Sequence, residues 1–302
     1  MTIDSHIAEV KSATSLRFNN LWKRNFESNF PAISKNPGIM PLRKRFNGIP
    51  SIVVGAGPSL DKNISFLKRA AGKSVIISSD AAMKPLLENG IDPSIVICLD
   101  PQEDIMKFFT GVKSQRMLLA APSIVHPKVL DYWMGRYIFY HKHAPDISIL
   151  TQIQNSIPKI GVLTPGGTVL SVACDLAFQM GCDPILFIGQ DLAWSGKSTH
   201  SRMGRAGDES FESTLVRQKE NIVYEEDIFG QRLATLKSMS VSKEWFHWAF
   251  ANWDRGSPVS YINCSESGIL KKGCAVIPFR EAIYKFCRKK INIDWIIKKA
   301  LK

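Results

Sequence analysis

Between residues 50 and 190 the apolar residues fall into short blocks that end on glycine, aspartate, proline or histidine. The blocks are Ser51–Val54, Val75–Ser79, Ile95–Leu99, Met117–Ala121, Tyr137–Tyr140 and Ile185–Ile188. Each is too short for a buried helix and most are rich in Val and Ile, which predicts buried strands. Between them the spacing turns helical: Ile64, Leu67, Ala70 and Ala71 precede Gly72, and Ala81–Glu88 runs into Asn89-Gly90. A further helix over Thr168–Met180 stops at Gly181 and leads into Ile185–Ile188. Buried strands alternating with helices predict an α/β, Rossmann-like fold, a mostly parallel sheet flanked by helices. Beyond Asp191 the pattern loosens into a polar, glycine-containing stretch over 195–208, read as a loop or lid. A helical region over 243–253 and a last strand over 259–262 follow, with no internal repeat.

The two ends read differently. Leu16, Phe18, Leu21, Trp22 and Phe26 are spaced for one helix, and Pro31, Pro37 and Pro41 then predict an irregular connection. At the other end Ile293, Ile297 and Leu301 form a stripe among Lys289, Lys290, Lys298 and Lys299. Three parts are therefore expected: an N-terminal helical arm over 1–48, a Rossmann-like core over 49–285, and a basic amphipathic C-terminal helix over 286–302. The stripe is expected to dock on the core or a partner subunit, with peripheral membrane contact as the alternative.

The chain has 302 residues, 45% of them hydrophobic, which excludes a disordered protein. No apolar run approaches the roughly 20 residues that span a bilayer. The first residues carry Asp4, Glu9 and Lys11 and lack a secretory apolar region. Six cysteines without a C-x-x-C pair are expected as reduced thiols, and the chain as cytoplasmic. A formal charge of +12 favours anionic partners. No RNP, KH or zinc-finger pattern is present, so sequence-specific nucleic-acid binding is not expected.

Candidate chemistry begins after the first strand, at Gly55-Ala-Gly57. A dinucleotide fingerprint needs a third glycine, and Leu60 stands in its place. Pro58 fits the entry of a helix, with Ser59 or Asp61 as its cap. The turn then reads either as a tight strand–helix connection or as an anion cradle at a helix N-terminus. The other strands end on Asp80, Asp100, Pro122-Ser123, His141 and Gly189-Gln190-Asp191. In an open parallel sheet these ends share one edge, where ligands bind, and Asp80 is spaced to meet a ribose hydroxyl.

Seven motifs occur in order: Val53-Val-Gly-Ala-Gly-Pro-Ser-Leu60, Ser79-Asp-Ala81, Cys98-Leu-Asp-Pro101, Thr164-Pro-Gly-Gly-Thr168, Phe187-Ile-Gly-Gln-Asp-Leu-Ala193, Lys197-Ser-Thr-His200 and Tyr261-Ile-Asn-Cys-Ser-Glu-Ser-Gly268. Together, over roughly residues 15–285, they resemble the central domain of the bacterial motility accessory factor (Maf) proteins. That domain is shared with the archaeal MptE-type 6-hydroxymethylpterin diphosphokinases. More distantly the arrangement is similar to bacterial sialyltransferases that use CMP-sialic acid. Ala193 and Trp194 depart from the aromatic that those enzymes carry just after their Gly-x-Asp, so their tyrosine contacts to the donor phosphate do not carry over.

The resemblance implies a nucleotide-dependent transferase. In one reading a CMP-activated nonulosonic (sialic-acid-like) sugar is the donor and a Ser or Thr of flagellin the acceptor, with no metal or other cofactor. In the other, ATP gives pyrophosphate to a pterin alcohol, with Mg²⁺ held by Asp100 and Asp191. A non-catalytic nucleotide-binding module is the third reading. His200 is the expected general base and acts with Asp191, because it follows Gln190-Asp191 in a polar loop. Arg202 and Arg205 are expected to close on a phosphate. Gly55, Gly57, Pro58, Ser59, Asp80, Asp100, Gly166, Gly167, Thr168 and Gln190 are the expected nucleotide-binding residues. By resemblance Asn263, Ser265 and Glu266 join them as the lining of the nucleoside pocket.

Overall fold

The computed structural model describes residues 3–195, 198, 200, 201, 211–254, 256 and 258–302. A long helix, α1 (Ile3–Ser34), precedes the first strand, β1 (Ser51–Val54). There follow α2 (Leu60–Leu67), β2 (Val75–Ser79), α3 (Asp80–Glu88), β3 (Ile95–Ile97) and α4 (Met106–Phe109). Next come β4 (Leu118–Pro122), α5 (Pro127–Tyr132), β5 (Tyr137–Lys142), α6 (Ser148–Ser156) and β6 (Val162–Leu163). Helix α7 (Val169–Met180) leads to β7 (Ile185–Ile188), and α8 (Phe211–Arg217) to a hairpin of β8 (Ile222–Glu226) and β9 (Arg232–Leu236). The chain continues through α9 (Lys237–Asn252), β10 (Tyr261–Asn263), β11 (Ala275–Val276), α10 (Phe279–Phe286) and α11 (Ile293–Ala300).

Nine strands form one sheet in the order β11-β10-β7-β1-β2-β3-β4-β5-β6, every pair parallel. The expected Rossmann-like α/β fold is therefore the fold observed. The chain winds outward from β1 to β6, then α7 carries it back to β7 on the other side of β1. The strand order reverses between β1 and β7, which is where open α/β sheets place their ligand crevice.

Alternation along each strand builds the two cores. Val53, Ile77 and Ala120 face one side of the sheet, where Val172, Leu176 and Met180 of α7 pack with Phe246 and Phe250 of α9. Ile52, Val54 and Ile188 face the other, against Leu60 and Leu67 of α2 and Phe279 and Ile283 of α10. Farther out on that second side Val96, Leu119 and Phe139 meet Trp22, Phe26 and Ile33 of α1. The arm is also hydrogen-bonded to the sheet edge. Buried Asn25 donates to the carbonyls of Pro101 and Ile124 at 2.8 and 3.0 Å, and Asn29 to that of Val125 at 2.8 Å.

Two readings are revised and one is met. The first helix runs through Pro31 to Ser34 instead of stopping, because Ile33 in its last turn is fully buried against the sheet. Most of the polar stretch over 195–208 lies outside the described residues. Between it and the expected helix over 243–253, where no element was read, the chain forms the antiparallel hairpin β8–β9, whose alternation the charges Glu225, Glu226 and Arg232 masked. The C-terminal segment over 286–302 holds one helix, α11, and Ile293 and Ile297 are buried in the main core, so the stripe docks on its own core as expected. No described helix is long and apolar enough to cross a membrane. All six cysteines are unpaired with one another.

Candidate functional site

Because β1 and β7 are neighbours, the turns that follow them meet. The Gly55 amide donates to the Ile188 carbonyl at 2.9 Å and the Gly57 amide to the Gly189 carbonyl at 3.0 Å. Approach this close leaves no room for side chains. A Cβ on Gly57 would sit 2.7 Å from the Gly189 carbonyl oxygen and would strike the Asp191 carboxylate. Gly189, at φ +64°, is in the left-handed region and would collide with the Gly55 carbonyl if it carried a Cβ.

The anion at the N-terminus of α2 is thus the protein's own. Asp191 Oδ2 accepts from the Ser59 amide at 3.2 Å and from the Ser59 hydroxyl at 2.8 Å. Burial pushes the Asp191 carboxyl up to about 6, against the pull of these Ser59 bonds and of Ser267. Of the two readings of this turn, the tight strand–helix connection is the one seen on the Cβ side of Gly57, where the Asp191 carboxylate sits. The expected Ser59 cap is corrected: its side chain makes no helix-capping bond but reaches across to Asp191 in the loop after β7.

The loop after β7 is fixed from several directions. The Gln190 amide donates to Ser265 Oγ at 3.0 Å, and the Ile269 amide to the Asp191 carbonyl at 3.0 Å. Thr235 of β9 donates to the Leu192 carbonyl at 2.6 Å, and the Trp194 amide to the Ala234 carbonyl at 3.0 Å. The hairpin that the sequence concealed therefore clamps the site.

Beside this junction lies a cleft of about 370 Å³. Its floor is Gly55–Pro58 and Gly189–Trp194. One wall is Ser79–Ala81 with Thr168–Leu170 at the start of α7; the other brings His200, Thr214, Arg217 and Gln218 over it. Among the described residues, Asp80, Asp191, His200 and Arg217 are the titratable groups lining it. Asp80 is 4% exposed, and its Oδ1 accepts from the Ala81 amide at 2.7 Å. Burial, reinforced by the charge of Asp100, pushes the Asp80 carboxyl up to about 7, although the Ala81 amide and Lys107 pull it down. Perturbation of this kind in a cleft is a mark of functional sites.

Of the expected site residues, the structure brings Gly55, Gly57, Pro58, Asp80, Thr168, Gln190, Asp191 and His200 to the cleft. The others are elsewhere. Ser59 is buried beneath it. Gly166 packs its backbone against the Trp245 ring and Gly167 lies against Ser242, so these glycines seat α7 on α9. Asn263 donates to the Leu270 carbonyl at 2.7 Å and accepts from the Ser265 amide at 2.9 Å, and Glu266 accepts from the Phe279 amide at 3.1 Å. Of the three, Ser265 holds the β7 loop through Gln190, Asn263 orders its own loop, Glu266 caps the start of α10, and none lines the cleft. Asp100 accepts from the Gln102 amide at 2.9 Å and is not a lining residue. Asp191 lines the cleft and Asp100 does not, so the expected Asp100–Asp191 pair for Mg²⁺ is not brought together there. Among the described residues no three His, Cys, Asp or Glu side chains cluster to hold a metal ion.

His141 is also buried: its Nδ1 lies 3.0 Å from Ser123 Oγ and its Nε2 2.9 Å from the Ile157 carbonyl. A carbonyl only accepts, so Nε2 carries the proton and Nδ1 accepts from Ser123. Burial holds this imidazole below its ordinary range, and it serves the fold. Arg202 and Arg205 lie outside the described residues. The cation that does line the cleft, Arg217, was not anticipated, because nothing in the sequence ties α8 to the end of β1.

The family model described as "6-hydroxymethylpterin diphosphokinase MptE-like" matches residues 24–197. The chain belongs to the MptE-like family. An uncharacterized protein of Treponema pallidum (strain Nichols) is 26% identical to it over 196 residues, 64% of this chain and 34% of that one. Among solved structures, the Maf glycosyltransferase from Magnetospirillum magneticum AMB-1 shares the fold with a TM-score of 0.62 at 20% identity, covering 86% of this chain and 37% of that one. This MptE-like chain thus spans about a third of the length of either relative.

Proposed function

We propose that this MptE-like chain is a nucleotide-dependent transferase whose donor is a CMP-activated, sialic-acid-like sugar and whose acceptor is a hydroxyl, of the kind a flagellin Ser or Thr offers. The observation that carries the reading is the cleft at the β1–β7 reversal, where Arg217, His200 and Asp80 stand around one cavity. Such a transfer needs a cation for the departing phosphate and a base for the attacking hydroxyl, both of which the cleft contains. In this reading Arg217 takes the phosphate and His200 the acceptor proton. Asp191 acts by fixing the two turns to each other through Ser59.

Pyrophosphoryl transfer from ATP to a pterin alcohol is the second reading, favoured by the description of the matching family model. Calorimetric titration with CMP, CDP, ATP and AMP, with and without Mg²⁺, separates the two. Cytidine preference independent of Mg²⁺ is the expected result. Binding of ATP that requires Mg²⁺ would transfer the assignment to the second reading, and no nucleotide binding would leave a non-catalytic module. Under the first reading His200→Ala spares CMP binding and lowers turnover by roughly 10²–10⁴-fold.

A further inference from the structure

Gln190 is 1% exposed, lines the cleft, and has no hydrogen-bond partner among the described residues for either Nε2 or Oε1. Its backbone is held by Ser265, and the loop around it is clamped by β9 and Ser59, so the side chain is presented from a fixed frame. A buried carboxamide with both ends unpaired is costly to a fold, and native proteins rarely keep one without a partner to receive.

The chemistry of that partner is constrained. A phosphate or carboxylate would satisfy Nε2 and face Oε1 with a second negative charge. A cation would do the reverse. Of the single groups a ligand can offer, one that donates and accepts side by side satisfies both ends, such as the edge of a nucleobase, where an N–H lies next to a ring nitrogen or a carbonyl. Rotation of the amide by half a turn matches either order. Apolar walls from Leu170, Leu192, Ala193 and Trp194 suit a flat, uncharged ring.

The anionic part of the ligand has a separate place. The N-terminus of α2 is taken by Asp191. That of the 12-residue α7 opens on the cleft through Thr168, Val169 and Leu170, and its N-cap side chain makes no capping bond. Thr168 Oγ1 has no hydrogen-bond partner among the described residues, and neither does Thr214 Oγ1, three residues before Arg217 on α8. Unused hydroxyls, helical N–H groups and a guanidinium around one space are the donors that a phosphate requires.

Resting on the nucleotide reading above, we infer that the cleft binds a nucleoside monophosphate moiety in two separable halves. Gln190 pairs with the base edge, while Arg217, Thr214 and the start of α7 hold the phosphate.

The test is titration of cytidine, adenosine and their 5′-monophosphates against the parent, Gln190→Leu and Arg217→Gln, with a thermal melt of each. Gln190→Leu is expected to weaken the preferred nucleoside and its monophosphate alike, at least tenfold, preserving the ratio between them. It should melt at or above the parent temperature, because an unpaired buried amide has been replaced by an apolar group of similar size. Arg217→Gln is expected to leave nucleoside affinity unchanged and to abolish the advantage of the monophosphate. The inference is overturned if Gln190→Leu binds as the parent does, if it melts lower, or if both variants lose all ligands equally. Should the parent bind none of the four, the nucleotide reading fails as well; binding by the parent without separation of the variants sinks the two-halves inference alone.

Discussion

The starts of α2 and α7 are made from the same materials: a glycine-containing turn, a hydroxyl residue and a helix N-terminus. They are used in opposite ways. At α2 the donors are spent inside the protein, since the Ser59 amide and hydroxyl both meet Asp191, and Gly55 and Gly57 make room for the β7 turn. At α7 the glycines seat the helix on α9, while Thr168 reaches the cleft with its hydroxyl unpaired among the described residues. The difference teaches that a glycine turn before a helix records a close approach without saying what approaches. At α2 the visitor is a carboxylate from the same chain, 132 positions away.

The largest expected contrast is in stability. Gly57→Val is expected to break the β1–β7 junction. Its side chain would overlap Asp191 and the Gly189 carbonyl, at a cost of about 3 kcal/mol, read from urea unfolding. A parent-like midpoint would mean that the junction is looser than described. Next is Asp191→Ala, which strands the Ser59 donors and should cost about 2 kcal/mol. Asp191→Asn should recover part of that, since its carbonyl oxygen still accepts. On the α7 side Thr168→Val should change stability by less than about 0.5 kcal/mol, because the hydroxyl it removes has no partner there. It should still weaken nucleotide monophosphate binding in titration.

A further contrast is in pH. Burial raises Asp80 to about 7 and Asp191 to about 6. The folded state therefore keeps protons that the unfolded chain has released above about 4, and both groups make stability fall as pH rises through that window. Asp80→Asn removes its share, so its stability relative to the parent should grow between pH 5 and pH 8. A constant difference across that range would show that Asp80 ionises as an exposed carboxyl does.

Much of this was legible in the sequence, and the misses have a physical pattern. Strands such as Val75–Ser79 and Ile185–Ile188 declared themselves because both faces are buried and each opens on a continuous run of Val, Ile, Leu or Phe. Asp80, Gln190 and Asp191 were legible as site residues because strand ends in a parallel sheet share an edge. Glu266 and Asn263 were misplaced, since a polar residue at a strand end serves a ligand or the next loop equally well. The β8–β9 hairpin escaped because it is half exposed and charged, and Arg217 because α8 reaches the cleft through tertiary packing alone.

The division between the two helix starts can be measured directly by amide hydrogen exchange with saturating CMP added to the intact chain. The expected result is new protection over residues 169–172 of α7 and 189–194 after β7, with residues 59–62 of α2 unchanged because their donors are already engaged. Protection confined to 59–62, with 169–172 exchanging as in the free protein, would contradict it and return the phosphate to the first glycine turn.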